Sequence, residues 1–159
     1  MKRYAKRLVW LIAVGVGLFL IARFIVTPYV VVGESMTPTL KSWDLCLMRR
    51  VYHYQPQRGD IVVFRTANDP PLYFVKRVIA LPGETITIES GVVSINGVPL
   101  TEPYTTVNPE WQMEPTPVPR GKVYVVGDNR DFEREDYVLG LVATRLVQAR
   151  MFGHWRWKR

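Results

Sequence analysis

Thr85-Ile86-Thr87-Ile88 and, four residues on, Val92-Val93-Ser94-Ile95-Asn96-Gly97 decide the fold class. Both runs are short and β-branched. The second ends in Asn-Gly, which favours the positive φ angles of a type I′ turn, so the stretch reads as tight hairpins. The same pattern extends in both directions. Upstream, residues 29–32, 44–51, 60–64 and 72–81 read as strands. Turns at 55–59 and 68–71 separate them, and Pro82-Gly83 ends the last. Downstream, 122–126 and 137–147 are apolar-rich closing strands. Residues 99–120 hold six prolines and read as a long loop or insertion, a solvated connector carrying Trp111 rather than a lid. Nothing after the N-terminal segment keeps helical periodicity. The expected fold is mainly β, with antiparallel sheets folded on each other and one N-terminal helix.

That helix is expected over residues 8–26, which are apolar except for Arg23. Nineteen helical residues reach roughly 28 Å, close to a bilayer core of about 30 Å, and Arg23 near the outer end can snorkel to the headgroups. Pro28 opposes continuation of the helix. Lys2, Arg3, Lys6 and Arg7 place the N-terminus in the cytoplasm by the positive-inside bias. An uncleaved signal-anchor is expected rather than a cleaved signal peptide, because no small-x-small site follows cleanly. The expected organisation is a cytoplasmic segment 1–7, a transmembrane helix 8–26 and an extracytoplasmic domain 27–159.

The chain has 159 residues and a net charge of +7, with 48% apolar and 22% charged residues. The charge sits at the ends. Residues 1–28 hold five basic residues and no acid, and the rest holds 16 basic and 14 acidic residues. No basic face or motif for nucleic acid is present, so none is expected as a partner. Cys46 is the only cysteine, which excludes an intramolecular disulfide, and Leu45-Cys46-Leu47-Met48 reads as a buried strand. His53 and His154 read as surface positions. No metal-ligand spacing and no phosphate-binding glycine loop occurs, so no metal or cofactor is expected. The tail Trp155-Arg156-Trp157-Lys158-Arg159 mixes aromatics and cations; it either touches a membrane or is disordered.

The chemistry-bearing residues are a serine and a lysine. Gly33-Glu34-Ser35-Met36-Thr37-Pro38-Thr39-Leu40 places Ser35 nine residues beyond the apolar segment, and Tyr73-Phe74-Val75-Lys76-Arg77-Val78 sets Lys76 among apolar neighbours. A neutral lysine can take a serine's proton, and that pair suffices for peptide hydrolysis. An ordinary lysine, with a pKa near 10.4, is only about 1 in 250 neutral at pH 8, so it must be desolvated to serve.

The serine stretch resembles the serine box of type I signal peptidases. Arg58-Gly59-Asp60-Ile61-Val62-Val63-Phe64 resembles their next box, Tyr73-Phe74-Val75-Lys76-Arg77-Val78-Ile79-Ala80-Leu81-Pro82-Gly83-Glu84 their lysine box, and Gly127-Asp128-Asn129-Arg130 the start of the last. The resemblance covers nearly the whole chain except 99–118. It implies a membrane-bound serine endopeptidase that cleaves signal peptides from exported preproteins after a small-x-small motif, on the outer face of the cytoplasmic membrane. It implies Ser35 as nucleophile, Lys76 as general base and the Ser35 N–H as an oxyanion donor. Gly33 stands where some members carry a further serine donor, and glycine there lets a peptide approach closely. Asp60, Arg77, Asp128, Asn129 and Arg130 are expected to support the site.

Substrate is expected to pair with residues 29–33 by β-augmentation, with Tyr29, Val31, Met36, Leu40, Phe74 and Val75 forming shallow apolar pockets. The expected partners are signal peptides and membrane lipid. Where the family usually carries serine, aspartate, serine and arginine, this chain has Glu133, Glu135, Asp136 and Tyr137. A carboxylate beside Lys76 would favour its charged form. Glu133 pointing away, a loop shifted so that Asp136 replaces the family aspartate, and weakened catalysis all stay open. So do a specialised peptidase for one pilin-like or conjugative substrate and an inactive anchored homologue that binds export substrates.

Overall fold

The computed structural model describes residues 2–105, 108–131 and 140–156. The chain opens with α1 (Lys2–Ile25) and continues through β1 (Val26–Val30), β2 (Leu45–Arg50), β3 (Ile61–Arg65) and β4 (Tyr73–Ala80). Then follow β5 (Thr85–Glu89), β6 (Val92–Ile95), β7 (Val98–Pro99), β8 (Met113–Pro117), β9 (Lys122–Val126), β10 (Leu141–Ala143) and β11 (Val147–Trp155). These strands form two antiparallel sheets, as the hairpin pattern requires. The larger runs β1-β2-β11-β3-β4-β9-β10 and the smaller β7-β6-β5-β8. At the opening stretch, Ser90 and Gly91 turn β5 into β6, and Asn96 and Gly97 turn β6 into β7, all four at positive φ.

The core lies in three clusters. Ile86, Ile88, Val93 and Trp111 pack between the small sheet and the ends of β4 and β9. Met36, Leu40, Met48 and Val63 fill one side of the large sheet, and Val62, Phe64, Val78 and Val125 the other. Each fully buried aliphatic side chain contributes about 1.5–3 kcal/mol relative to exposure.

Four expectations change. The helix covers 2–25 rather than 8–26, and among the described residues no helix is long and apolar enough to cross a membrane. The strand expected at 29–32 instead spans Val26–Val30, with Pro28 on an edge strand that tolerates it. Val31 still pairs beyond its end, donating to the Asp44 carbonyl and accepting from the Trp43 N–H. Residues 99–120 are not a plain connector, since β8 pairs with β5 and Trp111 is buried. Of the tail, Trp155 is ordered as the end of β11, which lies between β2 and β3 in the large sheet.

Arg156, just past β11, donates to the buried Asp44 carboxylate from Nη2 at 2.9 Å and Nε at 3.1 Å, and the Lys41 N–H adds a bond at 2.9 Å. Burial pushes the Asp44 carboxyl upward, but these donors outweigh it and hold the group below the ordinary carboxylate range. A depressed carboxylate stabilises the fold above its unfolded pKa and loses that contribution as pH falls through the folded one. Asp44→Asn is therefore expected to lower stability at neutral pH. The gap from wild type should close as pH falls below about 4 in urea titrations. A gap that stays constant with pH would contradict the linkage.

Candidate active site

Ser35 sits in the loop between β1 and β2. Gly33, at φ 99°, turns the chain out of the β1 pairing, a conformation that favours glycine. The Thr37 N–H donates to the Glu34 carbonyl at 3.0 Å and the Leu40 N–H to the Met36 carbonyl at 2.8 Å, winding the following residues into tight turns. Met36 and Leu40 are buried and pin the loop to the sheet below. Ser35, between the exposed Glu34 and buried Met36, is left half-buried.

Lys76 lies in the middle of β4, opposite Val62 of β3, and is also half-buried. Serine loop and lysine strand meet at Gly127, just beyond β9. A Cβ placed on Gly127 would stand 2.1 Å from the Ser35 carbonyl oxygen and 3.3 Å from Lys76 Nζ. The lysine nitrogen and the serine backbone thus converge on one glycine, which is bare because two other segments occupy the space its side chain would need.

The next three residues extend that contact into a clasp. Asp128, fully buried, accepts from Arg77 Nε at 2.8 Å and Nη2 at 2.6 Å, and from the Thr39 hydroxyl at 2.5 Å. It ties the residue after the lysine to the serine loop. The Asn129 N–H donates to the Ser35 carbonyl at 3.1 Å, and its side-chain amide donates to the Glu34 carbonyl at 3.2 Å. Arg130, also buried, donates from Nε to the Gly127 carbonyl at 2.9 Å and from Nη2 to Glu102 at 2.6 Å. Arg77 donates besides to the Gly59 carbonyl at 3.0 Å. Burial alone would lower the Arg77 pKa, but Asp128 outweighs it and keeps the guanidinium above its ordinary range.

With 11% and 0% of their side chains exposed, Arg77 and Asp128 form a buried ion pair. Removing one partner strands a buried charge, at a cost of about 3–5 kcal/mol. Asp128→Ala is expected to lose that much in urea unfolding; a loss of about 1 kcal/mol or less, as for surface pairs, would contradict the clasp.

Of the expected pocket residues, Tyr29, Val31, Met36, Leu40 and Val75 meet in one cluster. Phe74 belongs to another, stacked on Phe64 at 6.0 Å. Met36 and Leu40 are fully covered, so they form a floor rather than open walls. Asp60 is set back from the serine. It accepts from the Tyr54 hydroxyl at 2.8 Å and from Arg150 Nη1 at 3.3 Å, and its carbonyl holds the Val78 N–H at 2.8 Å. Two edges of the large sheet bear on these residues. β1 ends the large sheet, and β9 pairs with β4 from Arg77 onward.

Sequence reading missed Thr39, Glu102, Tyr104 and the role of Gly127. Thr39 lay inside the quoted serine box; a glycine's close approach leaves no local signal. Cys46 is fully buried, and burial, then the Asp44 charge, pushes its thiol up to about 11, so it is no nucleophile. Among the described residues no group of three His, Cys, Asp or Glu side chains is placed to hold a metal ion. Glu133, Glu135, Asp136 and Tyr137 lie outside the described residues.

Comparison with known proteins shows the family. The family described as "Signal peptidase, peptidase S26" matches residues 1–155. The chain is 36% identical to a probable signal peptidase I-1 of a Synechocystis species, over 96% of this chain and 81% of that protein. It is 32% identical to signal peptidase IB of Staphylococcus aureus, over 84% and 81%. Among solved structures it is similar to a signal peptidase I from Enterococcus faecalis, with a TM-score of 0.50 and 28% identity over 62% of this chain and 98% of that one.

Proposed function

The chain belongs to the signal peptidase family, peptidase S26, and we propose that Ser35 and Lys76 are the nucleophile and general base with which it cleaves signal peptides from exported preproteins. The convergence of Ser35 and Lys76 on Gly127 carries this reading. Neutral Lys76 takes the proton from Ser35 Oγ, which attacks the scissile carbonyl carbon. The Ser35 N–H stabilises the oxyanion as charge develops there. The intermediate collapses to an acyl-enzyme as the protonated lysine returns its proton to the departing amine. Water, deprotonated by the same lysine, then hydrolyses the ester and frees Ser35.

The substrate is an extended peptide that adds to the free edge of the sheet at residues 29–33, supported by the edge position of β1. Tyr29 and Val75 flank the groove, and the buried Met36 and Leu40 fill the space beneath it. A filled floor makes the pockets shallow and selects small side chains at the two positions nearest the cut.

Within α1, residues 8–25 anchor the chain as a single span, with 1–7 in the cytoplasm and the β domain outside. Five consecutive apolar residues, Leu8 to Ile12, are exposed, more than one full turn of α1. A helix apolar all round needs an apolar solvent. At the end of β1 away from α1, Val30, Leu45 and Trp155 align across β1, β2 and β11 as an exposed apolar row that faces lipid. The test is cleavage of a preprotein by the full chain in liposomes. A single cut after small-x-small is expected, and a phenylalanine at the residue before the cut should slow it at least ~10²-fold, since a clash is exacted in the transition state. Indifference to that residue, or extraction of the chain by alkaline carbonate, would contradict the reading.

A further inference from the structure

We propose that Tyr104 and Glu102 are positioning residues for the Ser35–Lys76 pair, acting through Arg77 and Arg130; this deepens the dyad reading and rests on it. The Arg77 guanidinium lies 3.8 Å from the centroid of the Tyr104 ring, while its nitrogens hold Asp128. The Tyr104 hydroxyl donates to Glu102 Oε1 at 2.9 Å. The same carboxylate accepts from Arg130 Nη2 at 2.6 Å and Nη1 at 3.2 Å, and Arg130 in turn holds the Gly127 carbonyl.

These contacts close a circuit. Arg77 and Asp128, then Arg130 and Glu102, alternate in sign, and no side chain among the four is more than 11% exposed. Tyr104 links Glu102 back to Arg77. Burial, then the neighbouring Glu102, pushes its phenol above the ordinary range, so it stays a neutral donor. Thr105 adds a hydroxyl bond to the Asp128 carbonyl.

The circuit grips the site at two points. Arg77 is the residue after Lys76, and Gly127 is the residue on which Ser35 and Lys76 converge. The bracing residues belong to the proline-rich segment, whose Tyr104 and Trp111 pack into the core of the small sheet. The small sheet thereby sets the distance between nucleophile and base, and misplacing reacting groups by about 1 Å costs up to ~10²-fold in rate.

The test measures kcat and KM for a signal-peptide substrate with the full chain. The variants are Tyr104→Leu, Tyr104→Phe and Val93→Ala, a cavity in the same core at a residue outside the circuit. Tyr104→Leu removes the ring under Arg77, and its kcat is expected to fall at least tenfold with KM within twofold. Tyr104→Phe keeps the ring and is expected to stay within threefold of wild type. Val93→Ala should lower the thermal midpoint with kcat within twofold. The proposal is overturned if Tyr104→Leu loses no more kcat than Val93→Ala, or if the loss is in KM. If Tyr104→Leu does not fold, Glu102→Gln reads the same circuit: a fivefold or larger fall in kcat supports it and an unchanged kcat overturns it. Ser35→Ala in the same assay keeps the two readings apart. Its inactivity beside unaffected Tyr104 and Glu102 variants removes the brace and leaves the dyad.

Discussion

Ser35→Ala is expected to abolish preprotein cleavage, with kcat lower by at least ~10³-fold and KM nearly unchanged. The hydroxyl makes the bond that chemistry requires, whereas the peptide is held by backbone pairing that alanine leaves intact. Lys76→Ala is expected to lose a comparable factor, because an unassisted serine is a weak nucleophile near neutral pH. Lys76→Arg should rescue nothing: a guanidinium cannot give up its proton in a protein and so cannot act as base. The double variant should be little worse than either single one, since the pair acts as a unit. Additive losses, or an active Lys76→Arg, would contradict the assignment. Measurement of kcat and KM on one preprotein decides among these outcomes.

The second large effect is expected at Gly127. A Cβ there would meet the Ser35 carbonyl oxygen at 2.1 Å, its carbon at 3.1 Å and Lys76 Nζ at 3.3 Å. Oxygen and carbon are backbone atoms, so no side-chain rotation relieves the overlap. Either the serine loop or the end of β9 must retreat, and each movement separates the groups that have to meet. Gly127→Ala should therefore lower kcat by at least ~10²-fold while substrate is still bound. The control is Gly17→Ala in α1, where an added Cβ meets nothing within 4 Å. Its kcat should equal wild type. Equal activity of the two variants would mean that the close approach at Gly127 has no bearing on catalysis.

Gly127 also marks where sequence reading stops. Asn96-Gly97 announced its hairpin because turn chemistry is local. Ser35 and Lys76 were legible as candidates because each stands in a characteristic stretch. The bareness of Gly127 is set by segments 92 and 51 residues away in the chain, and no neighbouring residue reports it. The same holds for β11. Val147 to Trp155 pairs with strands about a hundred residues earlier, and Arg150 and Gly153 blur its pattern. The proline-rich segment misled in the opposite sense. Its prolines read as a solvated connector, yet it supplies β8 to the small sheet, and Glu102, Tyr104 and Trp111 carry buried contacts.

The most direct test of the Ser35–Lys76 pairing is intact-mass and peptide-mapping mass spectrometry after reaction with a serine-reactive acylating probe. The expected result is a single adduct on the peptide containing Ser35 in the wild-type chain. That adduct should be absent from Ser35→Ala and slowed by orders of magnitude in Lys76→Ala and Gly127→Ala. An adduct on another residue, or acylation of Ser35 at the wild-type rate in Lys76→Ala, would contradict the pairing on which the proposed chemistry depends.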